Sequence, residues 1–169
     1  SEESVKEMAA RIEEQPNYTT IDELPQTYID AVLSVEDKRF YDHFGVDPIA
    51  VGRAFFNDVK AGAYVEGGST ITQQLLKNNV FEGWVTENSD LVRIKRKIQE
   101  QYLALEITKY YSKDEILLRY MNAINLGQNT LGVESASLRY FGKHCSELTI
   151  SECAVIASIT QNPSKYNPI

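Results

Sequence analysis

The chain has 169 residues, a length that fits one domain with a single sizeable core. Seventeen Lys+Arg against 24 Asp+Glu give a formal net charge of -7, which speaks against a nucleic-acid partner. A hydrophobic share of 43% with 24% charged residues is that of a globular protein and argues against disordered, collagen-like and coiled-coil chains.

Helical signals follow one another along the chain, with almost no strand signal. Residues 2–14 place Val5, Met8, Ala9 and Ile12 at helical spacing. Asp22 and Pro25 are expected to open a second helix carrying Ile29, Val32 and Leu33 on one stripe. Asp47-Pro48 starts a third, through Ala50, Ala54 and Phe55. Glycines mark 60–69 as a loop, expected to be mobile, and a helix then runs from about Thr70 to Asn79. Residues 80–89 read as a second loop. Ser89 or Asp90 caps a long helix to about Tyr110, with Leu91, Ile94, Ile98 and Leu105 expected as its buried stripe. Ser112 with Glu115 forms a capping box ahead of Ile116, Leu117, Tyr120 and Met121. After a glycine-bounded connection, a short helix covers Val133–Phe141, and Thr149 with Glu152 caps another that Asn162-Pro163 ends. The fold class expected is all-α.

No run approaches the roughly 18 apolar residues of a bilayer span. The longest, Cys153–Ile159, is broken by Ser158. Because the chain opens at Ser1 without a Met and stops at Ile169, it reads as one excised domain, 1–169, any anchor lying elsewhere. Cys145 and Cys153 have no CxxC spacing and are expected to be two thiols; His43 and His144 show no HExxH pattern.

Three features break the local pattern, which is where functional residues are sought. Glu36 follows Val32 and Leu33 at helical spacing, so it continues an apolar stripe. A carboxylate on a core edge is costly unless paired, and such a group suits proton transfer; the alternative is a residue at a fraying helix end beside Lys38 and Arg39. The second feature is Gly67-Gly68-Ser69-Thr70 ahead of a helix. It suits an anion such as a phosphate or diphosphate, with Thr70, Gln73 or Gln74, and Lys77 on one face and a Thr70–Gln73 capping box at its start. No Walker pattern is present, and a plain loop-to-helix junction is the alternative. Third, Arg93, Arg96, Lys97 and Glu100 share a helix face that is either a solvated ion-pair network or an anion site. The aromatics Phe55-Phe56 and Phe81 with Trp84 flank the two loops, as core residues or as groups that dip into a membrane interface.

Together these segments resemble the peptidoglycan glycosyltransferase (transglycosylase) domain, glycosyltransferase family 51, of class A penicillin-binding proteins and monofunctional transglycosylases. The resemblance runs from about Leu24 to Pro168 in five ordered blocks: Glu36-Asp37-Lys38-Arg39-Phe40-Tyr41-Asp42-His43-Phe44-Gly45; Gly67 through Asn78; Arg96-Lys97-Ile98-Gln99-Glu100; Ser112-Lys113 through Tyr120-Met121-Asn122 to Tyr140-Phe141-Gly142-Lys143; and Glu152 with Ala154 and Ala157, then Pro163 and Tyr166-Asn167-Pro168. Met121 stands where Leu is usual and Gln99 where some members carry Lys, and no role is transferred to Arg93.

The resemblance implies a lysozyme-like helical domain with a smaller membrane-facing lobe, acting at the outer face of the bacterial cytoplasmic membrane. It implies polymerisation of lipid II into β-1,4-linked glycan with inversion and release of undecaprenyl diphosphate. Glu36 corresponds to the general base and Glu100 to a second catalytic glutamate near the diphosphate. Asp37, Gly68, Ser69, Thr70, Gln73, Gln74, Lys77, Asn78, Arg96 and Lys97 correspond to substrate-binding positions. A divalent cation, Mg²⁺ or Mn²⁺, is expected to travel with the substrate diphosphate, with no firm set of protein ligands. Expected partners are lipid II, the growing glycan chain, the membrane interface and other cell-wall synthesis proteins, with no nucleic acid. Moenomycin, a phosphoglycolipid, is the inhibitor expected to compete. The rival readings are a lysozyme-like glycoside hydrolase and a non-enzymatic wall-binding scaffold.

Overall fold

The computed structural model describes residues 2–61, 67–81, 83, 86, 89–166 and 168. The expected loops at 60–69 and 80–89 fall in good part on positions outside these, as do Trp84 and Asn167. Among the described residues the architecture is all-α: α1 (Glu2–Glu13), α2 (Gln26–Glu36), α3 (Pro48–Ala61), α4 (Ile71–Val80), α5 (Asp90–Tyr110), α6 (Lys113–Ala123), α7 (Val133–Phe141), α8 (Ile150–Ile159) and the short α9 (Pro163–Tyr166). The β pairing described is a single isolated bridge, Asn125 with Leu131, which closes the loop after α6.

One hydrophobic core runs through the molecule. The stripe of α1, Val5, Met8, Ala9 and Ile12, is buried as its spacing predicts. Helix α2 buries Tyr28, Ile29 and Val32 and packs along α8. Helix α4 is central, packing on α6, α5 and α1 with Ile71, Leu75 and Leu76 inside. Three capping boxes fix helix starts where the sequence places them: Thr70 with Gln73, Ser112 with Glu115, and Thr149 with Glu152.

Some boundaries move. Asp22 lies in a single 3₁₀ turn, Ile21–Glu23, and the chain re-enters helix only after Pro25, the N-cap of α2. Helix α8 ends at Ile159, and Pro163 opens α9, its fixed φ being compatible with a first helical turn.

The largest correction concerns α5. Leu91, Ile94, Ile98 and Leu105 were expected inside, yet Leu91 is 79% and Ile98 62% exposed. The buried residues are Glu100, Leu103, Ala104 and Ile107. At 3.6 residues per turn the two sets lie about 150° apart around the helix. The helix is apolar on two sides, and only the side and half that meet α4 and α1 are covered. Spacing reports an apolar stripe; it does not report whether anything packs on it.

Gly45 is dictated by close approach, and Gly68 is closely packed. Gly45 has φ +98°, and a Cβ there would lie 2.1 Å from the Ala104 carbonyl oxygen, so the turn after α2 seats against α5 only as glycine. A Cβ on Gly68 would come within 3.3 Å of Ala54 Cβ, so this residue sits close against α3. Cys145 and Cys153 are buried free thiols, as expected.

Candidate active site

Glu36 is the last residue of α2, half-buried, where the helix runs into its neighbours. Gln74 Nε2 donates to its Oε2 at 3.0 Å, and Thr160 Oγ1, just past α8, lies 2.9 Å from its Oε1. Gln74 is in turn steadied by the Tyr120 hydroxyl, which donates to its Oε1 at 3.4 Å. Burial pushes the Tyr120 phenol well above its ordinary value, and the nearby Glu36 charge adds to this. The carboxylate on the core edge is therefore paired, which is what such a position requires.

Asp37 caps the end of α2 and is buried. Its carboxylate faces His43 Nε2 at 2.8 and 3.0 Å and accepts from the Ile71 N–H at 2.9 Å. Gly45 N–H donates to His43 Nδ1 at 3.1 Å, so Nε2 carries the ring hydrogen that goes to Asp37. Lys113 Nζ stands 3.4 Å from the same Nδ1 and 4.5 Å from the Phe40 ring centre. Burial lowers the Lys113 ammonium from its ordinary value, with Asp37 and Asp42 opposing that shift. Tyr41 adds a second tie, donating to Asp114 at 2.9 Å. These contacts clamp residues 37–45 between the starts of α4 and α6, so the end of α2 is held on both flanks.

The start of α4 differs from its sequence reading in one respect. The expectation directed its unpaired N–H groups at a ligand; instead Asp37 takes the first of them, and Thr70 Oγ1 accepts from Gln73 N–H. Thr70 also donates to the Gly45 carbonyl at 2.6 Å, and its own N–H goes to Gln73 Oε1 at 3.0 Å. Thr70 and Gln73 are buried and shape the helix start. Ser69, Gln74 and Lys77 are half-buried on the same segment, and Asn78 is exposed.

The charged face of α5 resolves against the solvated reading. Glu100 is only 1% exposed. Arg96 Nη1 donates to its Oε2 at 2.8 Å and Lys97 Nζ to its Oε1 at 2.7 Å. Lys97 also donates to Ser69 Oγ at 2.8 Å, which ties the face to the segment before α4. An ammonium has three N–H donors, and Ser69 and Glu100 take two. Arg93 lies on the exposed part of the helix, 3.5 Å from Asp90.

The sequence-predicted residues thus converge on α4 from two directions, Glu36 through Gln74 and Glu100 through Lys97 and Ser69. Among the described residues no three metal-ligating side chains gather. Sequence reasoning did not single out Thr160, Tyr120 or Lys113 for the site. Tyr120 reads as core by spacing, and Thr160 follows the last helix with no pattern to mark it.

Among the described residues the domain is thus all-α, with a paired glutamate at a helix end and a buried glutamate between two cations. A family profile described as Transglycosylase matches residues 2–169. The chain belongs to that family. It is similar to penicillin-binding protein 1F of Bacillus subtilis (strain 168), 43% identical over 163 residues, 96% of this chain and 22% of the relative. It is 44% identical over 151 residues to penicillin-binding protein 1A of Aquifex aeolicus (strain VF5), 89% of this chain and 20% of the relative. With penicillin-binding protein 1A of Haemophilus influenzae the identity is 46% over 147 residues, 87% of this chain and 16% of the relative. The chain therefore spans about a fifth of the length of the curated relatives it matches.

Proposed function

We propose that the domain elongates glycan from lipid II, with Glu36 as general base. The ionised Glu36 takes the proton of the acceptor sugar 4-hydroxyl. That oxygen's electron pair forms the new bond to the anomeric carbon of the growing chain. The anomeric carbon–diphosphate bond breaks from the opposite face, and the electron pair leaves with undecaprenyl diphosphate. A diphosphate is a good leaving group once its charge is met, so no general acid is needed. Arg96, Lys97 and Lys77 supply positive charge and Ser69 a hydroxyl on the side where that charge develops. Buried Glu100 fixes Arg96 and Lys97 in place. A divalent cation, Mg²⁺ or Mn²⁺, is proposed only as a companion of the substrate diphosphate, whose charge it would help neutralise.

The observation that carries this reading is the placement of Glu36 against Gln74 on the same segment whose Ser69 meets Lys97. The membrane-facing role rests on the uncovered apolar side of α5, with Leu91, Ile94 and Ile98 exposed, and on Phe56 of α3, also exposed. No helix among the described residues is long and apolar enough to cross a membrane.

Glu36→Gln keeps the shape and removes the base. Polymerisation of purified lipid II is expected to fall by about 10²–10⁴-fold with unchanged circular dichroism. Near-normal chain growth in this variant would end the assignment, and shortening of preformed glycan by the wild type would favour the hydrolase.

A further inference from the structure

The Thr160 hydroxyl stands between two acceptors. Its Oγ1 is 2.9 Å from Glu36 Oε1 and 2.7 Å from the carbonyl oxygen of Ala157, one turn back on α8. A hydroxyl has one hydrogen and two lone pairs, so it cannot donate fully to both. When Glu36 is ionised, the hydrogen belongs on Oε1, because a lone pair facing an anionic oxygen at that distance is repulsive. When Glu36 carries a proton, the pattern reverses: Glu36 Oε1–H donates to Thr160 Oγ1, and the Thr160 hydrogen turns to Ala157. The other carboxylate oxygen has no such freedom, since it faces the Gln74 amide N–H, which only donates. Glu36 thus has one fixed partner and one reversible one.

We infer that Thr160 is a positioning residue for Glu36, its reversible hydroxyl holding the carboxyl group in both protonation states. The inference rests on the reading of Glu36 as the base and deepens it. A base that takes a proton in each turnover and returns it before the next needs surroundings that satisfy both forms without rearranging the backbone. Rotation of one hydroxyl does this. The proton taken from the sugar alcohol moves onto Oε1, no bond to Thr160 is made or broken, and only the direction of two hydrogen bonds changes. Among the described residues the titratable groups near Glu36 include Asp37 beside it in the chain, held by His43, and Tyr120 from α6, with Lys77 one turn beyond Gln74 on α4. From α4 and the end of α8 the groups that hydrogen-bond Glu36 include the neutral Gln74 and Thr160.

The test compares Thr160→Val, which removes the hydroxyl at nearly constant shape, with Thr160→Ser, which keeps it. Thr160→Ala serves as the same deletion should valine pack poorly. Chain growth from lipid II is followed across pH, and the Glu36 carboxyl carbon is titrated by ¹³C NMR, assigned by its loss in Glu36→Gln. In the valine variant kcat is expected to drop about tenfold with KM changed less than about threefold. Thr160 serves both forms, but its bond to the ionised carboxylate is the stronger, charge-assisted one, so its loss should move both the acid limb of the rate profile and the carboxyl titration upward. Serine should restore most of both. A valine variant with wild-type kcat and titration overturns the inference, as does a serine variant as impaired as valine, since that marks a packing role for the methyl group. If Glu36→Gln stays active while the titration still moves with Thr160, the base reading falls and the hold of Thr160 on Glu36 stands. If Glu36→Gln is inactive and the titration does not move, the inference alone falls.

Discussion

At the scale of single residues, the site depends on a few positions with no tolerance. Gly45 is the sharpest. Its φ of +98° disfavours any side chain, and the Ala104 carbonyl 2.1 Å from a would-be Cβ is backbone and cannot move aside cheaply. Gly45→Ala is expected to cost roughly 2–4 kcal/mol, seen as a melting temperature lower by on the order of 10 °C. Because Gly45 also donates to His43 and accepts from Thr70, activity should fall further than stability alone predicts. A variant that melts like the wild type would show that the turn has another way to seat. Glu36 was legible in the sequence as a charge on an oily stripe. Its partners were not, because Gln74 lies 38 positions away and Thr160 124, and no local rule joins such distances.

At the scale of elements, the caps and ties between helices carry most of the local logic. The capping boxes at Thr70, Ser112 and Thr149 appear where the pattern S/T-x-x-E/Q predicts, since each is made within four residues. Asp37 shows the opposite case, a residue of one helix end that satisfies the start of another. A similar tie holds the 3₁₀ turn Cys145–Glu147 to α7, where Glu134 pairs with His144 and accepts from Cys145 N–H at 2.8 Å. Its bond to Glu134 raises the His144 ring above the ordinary 6.5, with the Glu134 charge adding to it. Burial would raise Glu134, but the bonds from Cys145 and His144 outweigh it and hold it below 4.5. The histidine contribution is present below pH 6.5 and is lost as pH rises through its raised value. The glutamate contribution is present above pH 4.5 and is lost as pH falls through its lowered value. His144→Gln should therefore lower the melting temperature most between about pH 4.5 and 6.5 and have no pairing effect at pH 9. A difference from the wild type that is flat across this range would show that the pair contributes nothing to stability.

At the scale of the whole molecule, the fold gathers a core around α4 and leaves the N-terminal half of α5 standing clear of it. That half carries Leu91, Val92, Ile94 and Ile98 together with Arg93 and Lys95, an apolar stripe next to cations, which suits a lipid interface. The paired substitution Leu91→Ser with Ile98→Ser leaves the core untouched, so the melting temperature should change by less than about 2 °C. Each buried apolar side chain contributes about 1.5–3 kcal/mol, so sedimentation with phosphatidylethanolamine–phosphatidylglycerol vesicles should weaken at least about tenfold. Binding equal to that of the wild type would overturn the reading of this face as a lipid contact.

Helix order, the capping boxes at Thr70, Ser112 and Thr149, most of the buried stripes of α1, α2 and α6, and the misplacement of Glu36 could be read along the chain, because each follows from contacts within one or two helical turns. The Ser89 side chain, expected as a cap, makes no cap bond, and the burial of Glu100 could not be read. Which side of α5 faces inward could not, since both sides are apolar and burial is set by the neighbour that packs there. The same holds for the first N–H of α4, claimed by Asp37 and not left for a ligand, and for the Thr160 hydroxyl at Glu36. Such pairings join segments far apart in sequence, and they exist only once the helices have chosen their partners.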